Sequence, residues 1–365
     1  MKRIVIDARE SGTSTGRYVD KLVEYMHKLE PEYEVILLTK TPRVEYLKSV
    51  APGFRVIESN YKEFTFAEQI GLLRQINRLE ADLVHFTMTQ QPVLYRGKVV
   101  ATIHDLTTAR FNNPVKNWLT FKFKQTVYKW VIRRVAKKSE ALITPSDYVK
   151  YDVAQFGNIA PDKITVTHEA ADLITEPSEP ILALGNMDFI MYVGRPQPHK
   201  NLKRLVRAFS TVQLTHPKLK LALVGKLDDN YLLLKKYARR RDIKGIVFTD
   251  FVTEGQLRWL YENARAYVFP SLSEGFGLPG LEALVHGLPL VSSRATCLPE
   301  IYKDGALYFD PSSTEDMVQK IKMVLDSPEI AKKMRLEGPK VATQYSWEKT
   351  AQQTLEVYDE VLEDR

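Results

Sequence analysis

The chain has 365 residues, of which 44% are hydrophobic and 27% are charged, and it carries a net charge of +7. This length exceeds what one hydrophobic core usually holds, and the composition excludes a largely disordered chain, so we expect two globular domains. The positive charge favours an anionic partner, which could be nucleic acid, an acidic membrane surface or a phosphorylated small molecule.

The start of the sequence lacks the pattern of a secretory signal, and no window approaches about 18 consecutive apolar residues. We therefore expect a cytoplasmic protein without a membrane-spanning helix. Cys297 is the single cysteine, which excludes an internal disulfide and a cysteine-based metal cluster. We interpret it as a small packed residue.

Short apolar runs recur along the chain, with amphipathic segments between them. In the first half they cover 3–8, 34–39, 54–58, 82–87, 98–104, 141–144 and 163–167. In the second half they cover 189–193, 219–224, 245–249, 266–269, 289–292 and 306–309. Continuous apolar runs are typical of parallel strands that helices cover on both faces. The pattern predicts α/β structure repeated twice.

Two segments mark the domain organisation. Residues 171–186 contain polar and proline breaks without a clear period, and we interpret them as an interdomain linker. A helix is predicted to start near Ser346 and to run to the end of the sequence. Because ligands of open α/β sheets bind beyond the carboxyl ends of the strands, residues just after each strand are the candidate site.

One such place follows the strand predicted at 189–193. Arg195 and Lys200 lie there, in the loop before a helix. Cationic side chains in that position would join the free N–H groups and the positive end of the helix dipole. This arrangement favours a diphosphate site, and the alternative is a pair of solvated charges.

A second such place is the stretch SEGFGLPGLEALVHGLPL, which puts Glu274 in a loop and Glu282 in the first turn of a helix beginning within 278–280. Gly275 and Gly277 would let backbone N–H groups approach a ligand closely. The two carboxylates could then hold vicinal hydroxyls on two rings of one ligand. The alternative is that Glu282 stabilises the helix N-terminus while Glu274 is merely exposed.

The first half offers two weaker candidates. Gly12 and Gly16 lie in a loop after the first predicted strand, where backbone amides could hold a phosphate, but the spacing matches neither GxGxxG nor the Walker P-loop. His104 ends the fifth run and is either structural or a donor to a sugar hydroxyl. The sequence contains neither a DxD nor an HExxH motif, so we expect no metal site.

Together these motifs resemble glycosyltransferase family 4, whose members are retaining enzymes. The resemblance rests on GRY at 16–18, HDL at 104–106, YVGRPQPHKNL at 192–202, VFTDFV at 247–252, VFPSLSEGFGLPGLEAL at 268–284 and SW at 346–347. It implies a GT-B fold, in which two Rossmann-like domains face each other across a cleft. The acceptor-side domain would be 1–175, the donor-binding domain 176–347, and the final helix, 348–365, would cross back to the first domain.

The resemblance also implies residue roles. The catalytic residues would be His104, which would reach the transferred sugar, and Glu274, which would contact its hydroxyls. The donor would be bound by Arg195, Lys200, Glu274, Gly275, Phe276, Gly277, Leu278, Glu282, Phe251 and Val252. In that set Arg195 and Lys200 would hold the diphosphate, Glu282 the ribose, and Phe251 and Val252 the base. The loop containing Gly12 and Gly16 would close over the phosphates or the acceptor.

Two positions depart from the family pattern. Ser14 stands where the first glycine of Gly-x-Gly-Arg-Tyr is frequent, which puts the phosphate contact of that loop in doubt. Asp250 stands where glycine is frequent, which leaves the base open.

The expected activity is transfer of a hexose from a nucleotide-diphosphate sugar to a glycan or lipid-linked acceptor in cell-envelope or polysaccharide biosynthesis. The family implies front-face attack with the leaving phosphate as base, and neither cofactor nor metal is expected. The segment TIHDL, followed by Arg110 and Phe111, is similar to mannosyl- and rhamnosyl-transferring members, which favours GDP-mannose. The alternatives are a nucleotide-sugar epimerase or hydrolase and a non-catalytic binding subunit. A nicotinamide dehydrogenase is a weaker alternative, because this sequence lacks the glycine fingerprint of that class.

Residues 115–138 are unusually basic. On a helix, Lys122, Lys129, Arg133 and Lys137 would share a sector of roughly 80°, beside Leu119 and Trp130. One hypothesis is that this face rests on an anionic membrane leaflet at the inner face of the membrane. The alternative is a solvated face whose aromatic side chains pack inward. No nucleic-acid motif accompanies the charge.

Overall fold

A computed structural model describes residues 1–13, 15–111, 118–185 and 187–363. The chain forms two compact units. Unit 1 comprises Met1–Ala109, Phe123–Glu169 and Ser346–Arg365, and unit 2 comprises Arg110–Lys122 and Ala170–Tyr345, each within the described ranges. Over those ranges, no helix combines the length and the apolar character needed to cross a bilayer.

Unit 1 is built on a seven-stranded parallel sheet in the order β3-β2-β1-β4-β5-β6-β7. The strands are β1 (Lys2–Asp7), β2 (Tyr33–Thr39), β3 (Arg55–Glu58), β4 (Leu83–Phe86), β5 (Val99–Thr102), β6 (Ala141–Thr144) and β7 (Ile164–Val166). The helices along this part of the chain are α1 (Arg17–Lys28), α2 (Val44–Val50), α3 (Leu73–Arg78), α4 (Thr107–Arg110), α5 (Trp118–Lys138) and α6 (Asp147–Gly157). Helix α5 belongs to unit 1 from Phe123 onward. All seven apolar runs of the first half are therefore confirmed as strands.

The final helix, α14 (Trp347–Glu363), belongs to unit 1. Its Tyr358 hydroxyl lies 2.6 Å from Nδ1 of His85 on β4, and both side chains are fully buried. Lys2 on β1 donates to the carbonyl of Leu362 at 2.9 Å. The predicted return of the last helix to the first domain is thereby confirmed.

Unit 2 is built on a six-stranded parallel sheet in the order β10-β9-β8-β11-β12-β13. The strands are β8 (Phe189–Val193), β9 (Lys220–Val224), β10 (Ile246–Asp250), β11 (Ala266–Phe269), β12 (Leu290–Ser293) and β13 (Ala306–Phe309). The helices are α7 (Leu202–Val212), α8 (Asp229–Arg240), α9 (Glu254–Asn263), α10 (Leu278–Val285), α11 (Leu298–Tyr302), α12 (Thr314–Asp326) and α13 (Pro328–Ala342). The six runs of the second half are likewise confirmed.

The strand order of unit 2 places a ligand crevice. Counted within the unit, the order is 3-2-1-4-5-6, the doubly wound Rossmann arrangement. The direction of winding reverses between β8 and β11, which pair in parallel. A crevice opens at such a reversal, beyond the carboxyl ends of the two strands. The loops that follow β8 and β11 therefore line the expected ligand site of this unit.

Candidate active site

The loops after β8 and β11 bring together two of the predicted residues, Lys200 and Glu274. Lys200 ends a short 3₁₀ turn, Pro198–Lys200, and its Nζ lies 2.6 Å from Oε1 and 2.8 Å from Oε2 of Glu274. The two side chains are only 19% and 11% exposed. A cation and a carboxylate 74 positions apart in the sequence thus form a partly enclosed ion pair at the reversal of the sheet.

Side-chain amides and backbone contacts fix the loop that carries Lys200. Asn201 has a left-handed backbone (φ 58°), and its Nδ2 donates to the carbonyls of Pro270 and Pro311, both at 3.0 Å. The N–H of Leu272 donates to the carbonyl of His199 at 2.7 Å. The loops after β8 and β11 are therefore joined to each other, which positions Lys200.

The main chain of Glu274 is held by the segment after β12. Its N–H donates to Oγ1 of Thr296 at 3.1 Å, and the same hydroxyl donates back to the Glu274 carbonyl at 3.0 Å. The Cys297 thiol lies 3.4 Å from that carbonyl. Burial raises the pKa of Cys297 well above its usual value, with a contribution from Glu274. This buried, neutral thiol matches the packed residue expected from the sequence.

Helix α10 begins at Leu278, within the range expected, and Gly277 precedes it with φ 89°. A Cβ at Gly277 would lie 2.3 Å from the Tyr302 hydroxyl and 2.6 Å from Cδ2 of Leu298. That hydroxyl donates to the Gly277 carbonyl. Glycine is therefore required both by the left-handed backbone and by the packing, and the N–H groups of the first helical turn follow directly after it.

The position of Glu282 within α10 corrects one expectation. Glu282 is the fifth residue of the helix and so lies in its second turn, not its first. It is 7% exposed, and the Tyr261 hydroxyl donates to its Oε2 at 3.1 Å. Because the helix-dipole effect is confined to the first turn, stabilisation of the N-terminus does not account for this carboxylate. Its predicted contact with a ribose stays a prediction.

The other predicted donor-binding residues in unit 2 differ in exposure. Arg195 is exposed, and among the described contacts its guanidinium has no ion pair with Glu274. The side chain of Phe276 is buried against Tyr345, so only its backbone faces the turn. Phe251 is 80% exposed and follows β10, and Val252 beside it is half-buried. These two residues are accessible, as a base-flanking position requires.

The backbone conformation of Asp250 shows how an aspartate fits where the family often has glycine. Its backbone has φ 62°, in the left-handed region that glycine adopts most readily. Asp tolerates this region better than most residues because its short side chain can bond locally. Here Oδ1 of Asp250 accepts from the N–H of Leu227 at 2.9 Å. The substitution of the frequent glycine is thus compatible with the same turn.

In unit 1, His104 lies between two acceptors. Its Nε2 is 3.0 Å from the carbonyl of Thr87, and its Nδ1 is 3.3 Å from Oε1 of Glu169. Burial alone would lower the pKa of His104, but Glu169, the Thr87 carbonyl and Asp105 together raise it above its usual value. Because both ring nitrogens face acceptors, the geometry favours the imidazolium form.

The glycine loop of unit 1 uses its amides internally. The N–H of Gly12 donates to the Asp20 carboxylate at 3.1 Å, and the N–H of Gly16 donates to the carbonyl of Thr13 at 3.1 Å. Arg43 also pairs with Asp20 at 3.1 Å. A phosphate at this loop would have to displace these contacts, and the role of Gly12 and Gly16 stays a prediction. Ser14 lies outside the described residues.

Several supporting residues were not singled out from the sequence. Asn201, Tyr261, Thr296 and Tyr302 act through contacts with distant segments, for which the local sequence gives no signal. Glu169 is different, because it follows the last run of the first half and thus lies at a strand's carboxyl end. The rule that selected His104 would also have selected it.

Within the described residues, no three His, Cys, Asp or Glu side chains form a group that could hold a metal ion.

Solved structures share this architecture over the whole chain. Sucrose-phosphate synthase from Thermosynechococcus elongatus matches with a TM-score of 0.80 at 16% identity, covering 99% of each chain. Anabaena HepE in complex with UDP and glucose matches with a TM-score of 0.77 at 15% identity, covering 99% of this chain and 100% of that one. The protein thus has the GT-B fold with two Rossmann-like domains, as predicted.

Family models then identify the chain. Residues 15–174 match the model described as Glycosyltransferase Family 4, and residues 176–341 match Glycosyl transferases group 1. The protein belongs to the family 4, group 1 glycosyltransferases.

Curated relatives include mannosyltransferases. O-antigen chain mannosyltransferase B of Escherichia coli is 31% identical over 230 residues, covering 60% of each chain. The O-antigen chain mannosyltransferase RfbU of Salmonella typhimurium is 25% identical over 238 residues, covering 65% of this chain and 63% of that protein. A serotype-specific mannosyltransferase, WbdA of Escherichia coli, is 25% identical over 286 residues, covering 73% of this chain and 34% of that protein. The matches thus span less than two thirds of these relatives' lengths.

Proposed function

We propose that this protein is a retaining glycosyltransferase that moves mannose from GDP-mannose to a glycan or lipid-linked acceptor in cell-envelope polysaccharide biosynthesis. The observation that carries the proposal is the Lys200–Glu274 pair at the sheet reversal of unit 2. That unit contains the match to the group 1 glycosyltransferase model. The choice of mannose is supported by the relatives named as O-antigen mannosyltransferases.

Lys200 and Glu274 match the two groups that are joined by the bond that breaks, the diphosphate and the sugar. Lys200 would donate to the diphosphate, and Glu274 would accept from hydroxyls of the sugar next to it. In the free protein each charge neutralises the other at 2.6 Å. Donor binding would exchange this single pair for a lysine–phosphate contact and for carboxylate–hydroxyl bonds, so no charge would be left buried and unpaired.

The leaving group would be stabilised by cations and backbone donors. Charge develops on the departing nucleoside diphosphate as the bond between the anomeric carbon and the phosphate oxygen breaks. Lys200, Arg195 and the N–H groups at the start of α10 would stabilise that charge, and this supports a reaction without a metal ion. The acceptor oxygen would form the new bond on the same face of the sugar, and its proton would pass to the leaving phosphate.

A ligand panel followed by product analysis tests the proposal. Thermal-shift measurements with UDP, GDP, ADP and dTDP sugars should give the largest stabilisation with GDP-mannose. Labelled GDP-mannose should then yield a mannosylated product only when a lipid-linked or glycan acceptor is added. Formation of an epimer or of free mannose at the same rate with and without acceptor would instead identify an epimerase or a hydrolase. Lys200→Ala serves as the inactive control for donor binding.

A further inference from the structure

Unit 1 exposes large apolar side chains on three segments that are distant in sequence. They are Phe64, Phe66 and Ile70 before α3, Leu94 after β4, and Phe123, Val127 and Trp130 on α5, and each is between 40% and 88% exposed. On α5 the three residues follow the spacing i, i+4, i+7, which places them on one side of the helix. The outward aromatic residues contradict the alternative in which the aromatics of 115–138 pack inward, although Tyr128 is buried as that alternative expected.

Contacts join these three segments to one another. The ring of Phe64 lies 6.1 Å from that of Tyr128 on α5. Gln69 donates to the carbonyl of Gln91 at 3.0 Å and accepts from the N–H of Val93 at 3.0 Å. Arg134 on α5 donates to the carbonyl of Val93 at 3.1 Å. We call the surface formed by 64–70, 94 and 123–130 the apolar face.

Positive charge surrounds the apolar face. Residues 123–138 contain six Lys and Arg and neither Asp nor Glu, and Lys62, Arg74 and Arg96 are exposed on the other two segments. Burial, together with Arg134 and Arg96, lowers the pKa of Lys138, as expected where cations are close together.

The two glutamates within 62–70 are already paired. Glu63 lies 2.6 Å from Nζ of Lys40, and Glu68 lies 3.0 Å from the Arg9 guanidinium. Glu68 is buried, and Glu63 is half-buried. The neighbouring segments therefore present cations to a partner, while their two glutamates are neutralised inside the protein.

We propose that the apolar face docks on an anionic lipid bilayer, with its aromatic side chains in the interfacial region and the surrounding Lys and Arg on the lipid headgroups. Aromatic residues flanked by cations are the composition of surfaces that lie in a membrane interface. The charge complementarity selects an anionic bilayer over an apolar protein groove, because each cation near the leaflet adds to the attraction. This proposal rests on unit 1 alone and does not depend on the donor site.

Vesicle flotation tests the partner. The full chain should float with phosphatidylcholine vesicles that contain phosphatidylglycerol, and not with phosphatidylcholine alone. The double variants Phe123→Ser with Trp130→Ser, and Lys124→Glu with Lys137→Glu, should each weaken partitioning by about tenfold or more. Leu214→Ser removes an apolar side chain that is 82% exposed in unit 2 and should change nothing. Unchanged melting temperatures would show that the variants are folded.

A spectroscopic readout tests insertion separately. Lipids brominated on their acyl chains should quench tryptophan fluorescence of the bound protein, and Trp130→Phe should remove most of the quenching while leaving most of the binding. Equal recovery with neutral and anionic vesicles, or no recovery with either, would overturn the proposal. It would also be overturned if the apolar variants abolished self-association in light scattering without altering vesicle binding, since the face would then join two copies of the chain.

Discussion

The ion pair between Lys200 and Glu274 affects both local stability and, in the proposed donor complex, nucleotide binding. Each side chain is largely shielded from water, so losing one partner leaves the other charge poorly solvated. In the proposed donor complex, the same lysine also contributes a charge-assisted hydrogen bond to the diphosphate. The residue therefore affects nucleotide affinity and local stability through different partners, and a binding measurement isolates the first effect.

Lys200→Ala should weaken the binding of GDP. Hydrogen bonds to charged groups contribute about 1.5–3 kcal/mol, which corresponds to a dissociation constant about 10- to 150-fold higher. Isothermal titration calorimetry with GDP measures the change. Lys203→Ala is the matched control, because Lys203 is exposed one turn further along and its Nζ faces the Tyr237 ring at 6.0 Å. Equal affinity of the Lys200 variant and the wild type would remove the phosphate assignment.

The pair of His104 and Glu169 predicts a dependence of stability on pH. Folding raises the pKa of His104 above its usual value despite burial, because Glu169 and the Thr87 carbonyl favour the protonated ring. A group whose pKa is higher in the folded state stabilises the protein fully below its unfolded pKa of about 6.5. That contribution disappears as the pH rises through the folded-state pKa.

Glu169→Gln should reduce this pH dependence, because the amide keeps a hydrogen-bond acceptor and loses the charge. The wild type should lose more free energy of unfolding than the variant as the pH rises above about 6.5 and through the folded-state pKa of His104. Urea unfolding at a series of pH values measures the difference, and NMR titration of the His104 ring gives its pKa directly. The polar and charged groups around the His104 ring are Thr87, Asp105 and Glu169. The Tyr18 ring lies 4.7 Å away. The buried His85 is close enough for the charge of His104 to lower the pKa of His85. Parallel pH profiles for the two proteins would contradict the prediction.

At the scale of the element, the start of α10 depends on a glycine for two separable reasons. In Gly277→Ala the left-handed backbone should cost about 1–2 kcal/mol, and the clash with Tyr302 and Leu298 should cost about 1–3 kcal/mol more. Gly185→Ala is the control, because Gly185 also has a positive φ (46°) but a Cβ there would meet nothing closer than 3.7 Å. It should lose only the backbone part. Chemical denaturation compares the two, and equal losses would show that the packing around Gly277 relaxes freely.

The strands illustrate what local sequence can predict. A buried parallel strand needs apolar side chains on both faces, so a run such as 141–144 or 266–269 is visible without any knowledge of its neighbours. The start of α10 was predictable for a similar reason, since proline and glycine mark it locally. The turn that holds Glu282 was misplaced because a shift of a residue or two in the helix start moves a side chain from one turn to the next.

The contacts that complete the site are not local. Thr296 reaches Glu274 across 22 positions, and Asn201 reaches Pro311 across 110. These pairs exist only because the order of the strands places their loops side by side. Likewise, the sequence shows that Gly12 can present an amide, but only the fold shows that Asp20 accepts from it. Residue type at a strand end was therefore predictable, whereas the partner of that residue was not.

At the scale of the whole molecule, each unit has its own hydrophobic core. One core is formed by buried residues between Val5 and Ile164, and the other by buried residues between Leu184 and Ala342. The chain leaves unit 1 after Glu169 and contributes to it again from Ser346. Because each of these two cores lies within one unit among the described residues, we expect the two sheets to open in separate events, so that a ligand bound to one unit protects that unit alone.

Hydrogen exchange with GDP tests this independence together with the location of the donor site. A ligand at 100 times its dissociation constant stabilises the state that binds it by about 2.7 kcal/mol, which slows exchange through the corresponding opening about 100-fold. Amides in β8–β13 should gain this protection, and amides in β1–β7 should exchange at their original rates. Lys200→Ala at the same GDP concentration should lose most of the gain, which ties the protection to the diphosphate contact. An equal gain in both sheets would mean that the units open together, and a gain confined to β1–β7 would move the nucleotide site to unit 1.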